Sequence, residues 1–211
     1  MNEILRTENL VKIYNNGVMA NKDICFSANE GEIHAICGEN GAGKSTLMKM
    51  LYGIEQPSEG AIYVKGNKVE LTSSLKAIEN NIGMVHQHFM LVPSLTVAEN
   101  VVLGVEPKKG ISYDSKKAIQ MTEEIAKKYN LHIPATEKVE NISVGLKQRV
   151  EIIKALLKGA KILILDEPTT VLTPQETKEL FTELKKLRDY GHTILFISHK
   201  LFEVKELCDR V

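Results

Sequence analysis

The sequence has no excess charge of either sign, since 27 lysines and arginines balance 27 aspartates and glutamates. That balance argues against a dedicated nucleic-acid binder, which needs surplus positive charge to displace phosphate counterions, although a local basic face stays open. Long apolar runs are missing too. Ile162-Leu163-Ile164-Leu165 and Thr193 to Ile197 fall far short of the roughly 20 residues of a spanning helix, so no membrane crossing is expected. The start, Met1 to Glu8, has neither a basic stretch leading into an apolar run nor a small-residue cleavage site, and the expected location is the cytoplasm. Cys25, Cys37 and Cys208 are odd in number and lack paired ligand spacing, which argues against a disulfide frame or zinc site. They are expected to be buried small apolar residues. Repeats, low-complexity tracts and Ser/Gly linkers are absent.

What remains is a chain of 211 residues, 43% hydrophobic and 26% charged, enough for one large core with an additional lobe. Short strand-like runs alternate with longer helical ones, the α/β pattern. Ile33 to Cys37, Ile82 to His86, Ile162 to Leu165 and Thr193 to Ile197 resemble buried parallel strands. Ile4 to Tyr14, Asn21 to Ala28, Ala61 to Val64 and Lys68 to Leu71 alternate more and predict an antiparallel sheet at one side. Pro174 to Tyr190 repeats Leu180, Phe181, Leu184 and Leu187 on one helical face, with Thr173, Pro174 and Glu176 supplying cap, first-turn proline and capping-box acid. Further helices are expected over about 145–158, with Val150, Ile153 and Leu157 inward, and about 114–129. The stretch 96–158 reads as a helical lobe between two core strands.

Gly38-Glu39-Asn40-Gly41-Ala42-Gly43-Lys44-Ser45 matches the eight-position phosphate loop, placed after a strand and opening the apolar helix Thr46 to Gly53. Its glycines let the backbone wrap a phosphate, Lys44 reaches the terminal phosphates and Ser45 ligates Mg²⁺. Ile162 to Leu165 delivers Asp166 and Glu167 at a strand end, in the manner of a Walker B element. There Asp166 holds Mg²⁺ through water and Glu167 polarises the attacking water. Gln87 and His199 also follow strands. Singly each is an ordinary solvated turn residue, but in an open parallel sheet such ends share the ligand-binding edge. Ser143 and Gly145 precede the helix to Lys158 and offer a second anion site, or simply a helix cap.

With these motifs in order, the chain resembles the nucleotide-binding domain of an ABC-type ATPase over nearly its whole length. The resemblance takes in Walker A at Gly38 to Thr46, Gln87 as the Q-loop, the signature at Ile142 to Leu146, Walker B at Ile162 to Glu167 and His199 as the switch. It implies a P-loop α/β core, mainly parallel, with an N-terminal antiparallel β subdomain and an inserted helical lobe, in one ABC ATPase domain over 1–211. The resemblance further implies the first of a tandem pair, with the domain's remaining strands expected after Cys208-Asp209-Arg210-Val211. The implied cofactors are ATP and Mg²⁺, with Gln87 as a further metal ligand. Tyr14 stacks on adenine, or is a half-buried strand tyrosine. In the family's head-to-tail dimer, Ser143 and Gly145 meet the γ-phosphate held by the other subunit.

The signature departs from Leu-Ser-Gly-Gly-Gln by reading Ile-Ser-Val144-Gly-Leu146, and Thr173, also a helix cap, stands where the family usually has an aspartate that crosses the dimer. His86 to Asn100, Ser143 to Glu151 and Glu167 to Gln175 look most like the sugar and nucleoside importer branch, nucleoside preferred. That branch implies a subunit at the cytoplasmic face of the membrane, bound to membrane-spanning permease subunits and indirectly served by a solute-binding lipoprotein. Phe89 to Leu95 is either a groove for a permease helix or internal core. A soluble ABC-F-type ATPase acting on ribosomes is the alternative. It wants a basic linker, whereas the lysine pairs at 108–109, 116–117, 127–128 and 185–186 are dispersed. The interval from Ser45 to Ser143 is too short for the coiled coils of DNA-repair relatives, and Lys44, Glu167 and His199 together disfavour a non-hydrolysing regulatory domain.

Overall fold

The computed structural model describes residues 2–211. Its first strands, β1 (Glu3–Ile13) and β2 (Met19–Asn29), pair antiparallel. After β3 (Ile33–Cys37) and α1 (Lys44–Leu51) the chain adds β4 (Glu59–Val64) and β5 (Asn67–Val69), closing a sheet of order β2-β1-β4-β5. This is the expected antiparallel layer. Its inner face supplies Leu5, Leu10, Ile62 and Val64 to the core. The strand expected to reach Leu71 stops at Val69, and Leu71, though buried, lies outside the ladder. A short helix, α2 (Ser74–Glu79), follows.

The second sheet joins β3 to β6 (Ile82–Val85), β9 (Ile162–Asp166) and β10 (Thr193–Ser198), all parallel, in the order β3-β10-β9-β6. Successive side chains of a strand point to opposite faces. Leu163, Leu165, Ile194 and Phe196 therefore enter a core shared with the helices. Ile162, Ile164, Leu195 and Ile197 enter another, shared with α1 and the antiparallel sheet. Burial on both faces is why these strands read as continuous apolar runs. The run expected to include His86 stops at Val85, while the Walker B strand extends through Asp166.

Between β6 and β9 lies the expected lobe. It contains α3 (Val97–Val101), a small hairpin of β7 (Lys108–Lys109) and β8 (Ser112–Tyr113), α4 (Ser115–Lys128), a 3-10 turn at Val139–Asn141 and α5 (Val144–Leu157). The hairpin was not foreseen, because two-residue strands of lysine, serine and tyrosine carry no hydrophobic period. Thr96 and Glu99 form a capping box on α3, and Asp114 caps α4. After β9, α6 (Pro174–Asp189) starts from the foreseen capping box of Thr173 and Glu176 and buries Leu180, Phe181, Leu184 and Leu187. The last helix, α7 (Leu201–Leu207), was also unforeseen. Its Leu201 and Phe202 face solvent at 73% and 65% exposure, which breaks any apolar period. The cysteines are free, but not buried as expected: Cys25 is exposed and its thiol bonds Asn9 Oδ1, while Cys37 and Cys208 are half-buried. Among the described residues no helix is long and apolar enough to cross a membrane.

His192, just ahead of β10, ties the lobe to the core through a 3.0 Å contact between its Nε2 and the hydroxyl of Tyr129, which caps α4. Burial first, and the nearby Lys161 charge second, push its pKa down to about 4 from 6.5. The unfolded chain therefore takes up this proton before the folded one. Stability should be full above about pH 6.5 and fall as pH drops toward 4, by up to about 3 kcal/mol from this residue. Urea midpoints measured across that window should fall less steeply for His192→Gln than for the parent. Parallel curves would contradict the assignment.

Candidate functional site

In a parallel sheet every carboxyl end lies on one edge, and register decides which residues leave it together. Ser198 is level with Cys37, so His199 and Gly38 depart side by side. Ile197 is level with Asp166, and Val85 with Leu165, which brings His199 to one side of Glu167 and Gln87 to the other.

The loop from Gly38 to Gly43 turns from β3 into α1. Gly41 and Gly43 have φ of +85° and +86°, the left-handed region open to glycine, and Gly43 caps α1. Lys44 folds back, and its Nζ donates to the carbonyls of Gly38 at 2.7 Å and Glu39 at 2.8 Å. A cavity of about 420 Å³ is lined by Asn40, Gly41, Gly43, Lys44, Ser45, Thr46, Gln87 and Glu167. Ala42 lies in the same loop, and Gly38 and Asn40 also border an adjoining cleft with His199. Tyr14, one residue past β1, is half-buried, with its hydroxyl 3.3 Å from Thr46 Oγ1 and Lys12 Nζ 5.2 Å from its ring centre.

Asp166 is buried and is hydrogen-bonded by Ser45; burial, then the neighbouring Glu167 charge, push its carboxyl above the usual range. Glu167 sits in a left-handed conformation with φ +46°, which aims its side chain off the strand end. Its Oε1 is 3.1 Å from His199 Nδ1, and its Oε2 accepts from Gln87 Nε2 at 3.4 Å. The structure thus gathers the phosphate loop, Asp166, Glu167, Gln87 and His199 at one place.

Ser143 and Gly145 are not brought there. They open α5 in the lobe, where Ser143 Oγ accepts from Leu146 N as an N-cap and Gly145 N donates to Glu176 Oε1 at 3.1 Å. Together they border a separate cavity with Arg149, Glu176, Glu179 and Glu183. Arg149 pairs with Glu179 at 2.9 Å and Glu183 at 2.7 Å, fastening α5 to α6.

Sequence reasoning missed Glu151 and Lys154. Glu151, 4% exposed on α5 and pushed up chiefly by burial, accepts from the backbone N of Met90, while Lys154 Nζ donates to the Met90 carbonyl at 2.9 Å. The segment after Gln87 is thereby held at both backbone groups by the helix that Ser143 begins. A charged pair three residues apart on a predicted helix was the available signal, but its backbone target is distant in sequence.

A family model described as ABC transporter matches residues 21–170. The guanosine import ATP-binding protein NupO of Bacillus subtilis is 51% identical over 195 residues, covering 92% of this chain and 38% of that protein. The nucleoside import ATP-binding protein NupA of Lactococcus lactis subsp. cremoris is 49% identical, with the same coverages of 92% and 38%. The galactose/methyl galactoside import ATP-binding protein MglA of Clostridium perfringens is 43% identical, again with 92% and 38% covered. The chain spans about two fifths of the length of these curated relatives. Among solved structures, a nucleotide-free ATP-binding cassette from an ABC transporter superposes with TM-score 0.87 at 28% identity, covering 98% of this chain and 85% of that one. The ADP conformation of an ABC transporter cassette gives 0.86 at 28% identity, with 98% and 85% covered.

The two loop glycines separate conformational from steric demand. A Cβ on Gly41 meets nothing within 4 Å, whereas one on Gly43 would lie 2.2 Å from the Ala20 carbonyl oxygen. Gly41→Ala should cost only the left-handed penalty, about 1–2 kcal/mol in urea unfolding. Gly43→Ala should cost clearly more, because the Ala20 backbone must move. Equal losses would contradict this packing.

Proposed function

This chain belongs to the ABC transporter family, and on that premise we propose that it binds ATP with Mg²⁺, hydrolyses it, and powers import of nucleosides, or else simple sugars, through membrane-spanning permease subunits. The observation that carries the reading is the convergence of three parallel strand ends on one cavity, lined by the phosphate loop, Gln87 and Glu167, with His199 from the end of the fourth strand paired to Glu167.

Backbone N–H groups of the loop and the start of α1 face the phosphates, and Lys44 exchanges the Gly38 and Glu39 carbonyls for phosphate oxygens. Ser45 and Gln87, which line the cavity, and Asp166, hydrogen-bonded to Ser45, offer hard oxygen donors, a set that suits Mg²⁺. When bound, the ion supplies charge neutralisation on the γ-phosphate. Glu167 polarises the attacking water, His199 orients Glu167, and Gln87, touching the same carboxylate, relays γ-phosphate occupancy to the lobe. The position of Tyr14 beside Thr46 supports an adenine-facing role.

Separation of Ser143 and Gly145 from this cavity supports their use in trans, by a second cassette in a head-to-tail dimer. Val171, Leu201 and Phe202, following Glu167 and His199, are exposed apolar side chains suited to that contact. Thr173 is accounted for by the α6 capping box. We read 1–211 as one ABC ATPase domain with its lobe at 96–158, and relatives more than twice as long support a tandem pair. Within Phe89 to Leu95 the two earlier readings divide: Leu91 packs on the core, while Met90 and Val92 are 58% and 38% exposed and available to a permease helix. Bound to such subunits, the chain sits peripherally at the cytoplasmic membrane face, served indirectly by a solute-binding lipoprotein and needing no nucleic acid. The names of the relatives favour import over a ribosome-acting ATPase, and nucleoside over sugar.

Glu167→Gln should keep Mg-ATP binding while turnover falls on the order of a hundredfold or more; undiminished turnover would sink the assignment. Lys44→Ala should weaken binding of labelled ATP in equilibrium titration, and full affinity would count against the phosphate-loop reading. Light scattering of Glu167→Gln should show a dimer with Mg-ATP and a monomer with Mg-ADP. A monomer under both, with ATP bound, would remove the support for closure between identical chains.

A further inference from the structure

Glu203, in the first turn of α7, is 1% exposed, an expensive place for a carboxylate unless its lone pairs are used. They are used. Thr169 Oγ1 lies 2.8 Å and 2.9 Å from its two oxygens, Ser198 Oγ donates at 2.8 Å, and Lys200 Nζ pairs with it at 3.0 Å. What matters is where these donors sit in the chain. Thr169 is two residues beyond Glu167, and Ser198 immediately precedes His199. Since Glu167 and His199 are themselves 3.1 Å apart, the contacts close a ring: Glu167, Thr169, Glu203, Ser198, His199 and back to Glu167.

The ring encloses a strained turn. Glu167, a non-glycine residue at φ +46°, holds a conformation that persists only when its surroundings over-determine it. Thr170 Oγ1 on the Glu167 carbonyl, at 3.0 Å, is one constraint, and the grip on Thr169 is another. The other arm acts on the switch, because Ser198 Oγ also accepts from Lys200 N at 3.0 Å, so both flanks of His199 are tied to the same hydroxyl and through it to Glu203.

We propose that Glu203 is a positioning residue for hydrolysis, a buried carboxylate that sets the spacing of Glu167 and His199 by gripping Thr169 and Ser198 at once. This rests on the reading that Glu167 and His199 handle the attacking water. Glutamine at 203 has the same shape but one acceptor oxygen: placed at Oε2 it sets its NH2 group against Lys200 Nζ, and placed at Oε1 it leaves the Ser198 hydroxyl without its acceptor, so the cluster loses a contact in either orientation.

The test uses the full-length protein. In Glu203→Gln, single-turnover hydrolysis should fall roughly tenfold to a hundredfold, the scale of a misplaced reacting group. Mg-ATP affinity should stay within about twofold, since the phosphate loop is outside the ring. The double variant Thr169→Val with Ser198→Ala should reproduce the loss, and adding Glu203→Gln to it should cost less than about twofold more. Hydrogen exchange should rise in 168–172 and 198–200 and stay unchanged in 38–46. Unchanged turnover, a loss that multiplies in full on the double variant, or affinity falling in step with turnover would overturn the proposal. Should Glu203→Gln fail to fold, the Thr169 and Ser198 variants carry the same comparison. Undiminished turnover in Glu167→Gln would mark failure of the underlying reading instead; exchange then judges the grip alone, and no rise in the two segments overturns it.

Discussion

The in-register pairing of β9 and β10 is the constraint from which the site follows. With Ile197 level with Asp166 and Ser198 level with Cys37, the phosphate loop, the two carboxylates and His199 leave the sheet at adjacent points. A slip of one residue would turn each strand's core-facing side chains to the opposite layer. Both layers are filled, one by helices and lobe, the other by α1 and the antiparallel sheet, so the register is held from two sides. The geometry of the polar edge is thus set by apolar packing beneath it.

At that edge, unlike and like charges are kept close. Lys44 is buried but satisfied by two loop carbonyls, and Asp166, adjacent to Glu167 and buried, is raised by both circumstances. Two neighbouring carboxylates facing a lysine and a Ser45 hydroxyl form an arrangement suited to a cation and a phosphate together. The left-handed Glu167 turns its carboxylate toward Gln87 and His199 and away from the strand axis. Strain at this one residue, and the hydrogen bonds that hold it, point the two adjacent carboxylates to different partners, Asp166 to Ser45 and Glu167 to Gln87 and His199.

The lobe is joined to this edge by few but specific contacts. Met90 is held at both its N–H and its carbonyl by Glu151 and Lys154, and α5 carries Ser143 at its other end. The segment that follows Gln87 is thereby fastened to the helix that begins with Ser143 and Gly145. Arg149 locks the same helix to α6, whose capping residue Glu176 bonds Gly145 N. These links run between elements far apart in sequence, and no local period announces them.

Read alone, the sequence determined the layer types, because β9 and β10 are apolar at nearly every position and α6 repeats at helical spacing. It also determined the phosphate loop, because glycine, lysine and serine at that spacing have few other uses. Thr173, Pro174 and Glu176 start α6 as their local chemistry dictates. The short elements β7, β8, α2 and α7 escaped it, because two-residue strands and helices of six or seven residues hold less than two full periods and α7 exposes its apolar residues. Cys25 escaped as well, since residue type says what burial is favourable, not which face of an outer strand a side chain meets. Only the tertiary structure decided that Glu167 meets His199 and Gln87, that Ser143 stands apart from them, and that Glu203 joins Thr169 to Ser198. The physical reason is that these contacts depend on strand register and helix placement, which are settled by packing across the whole core.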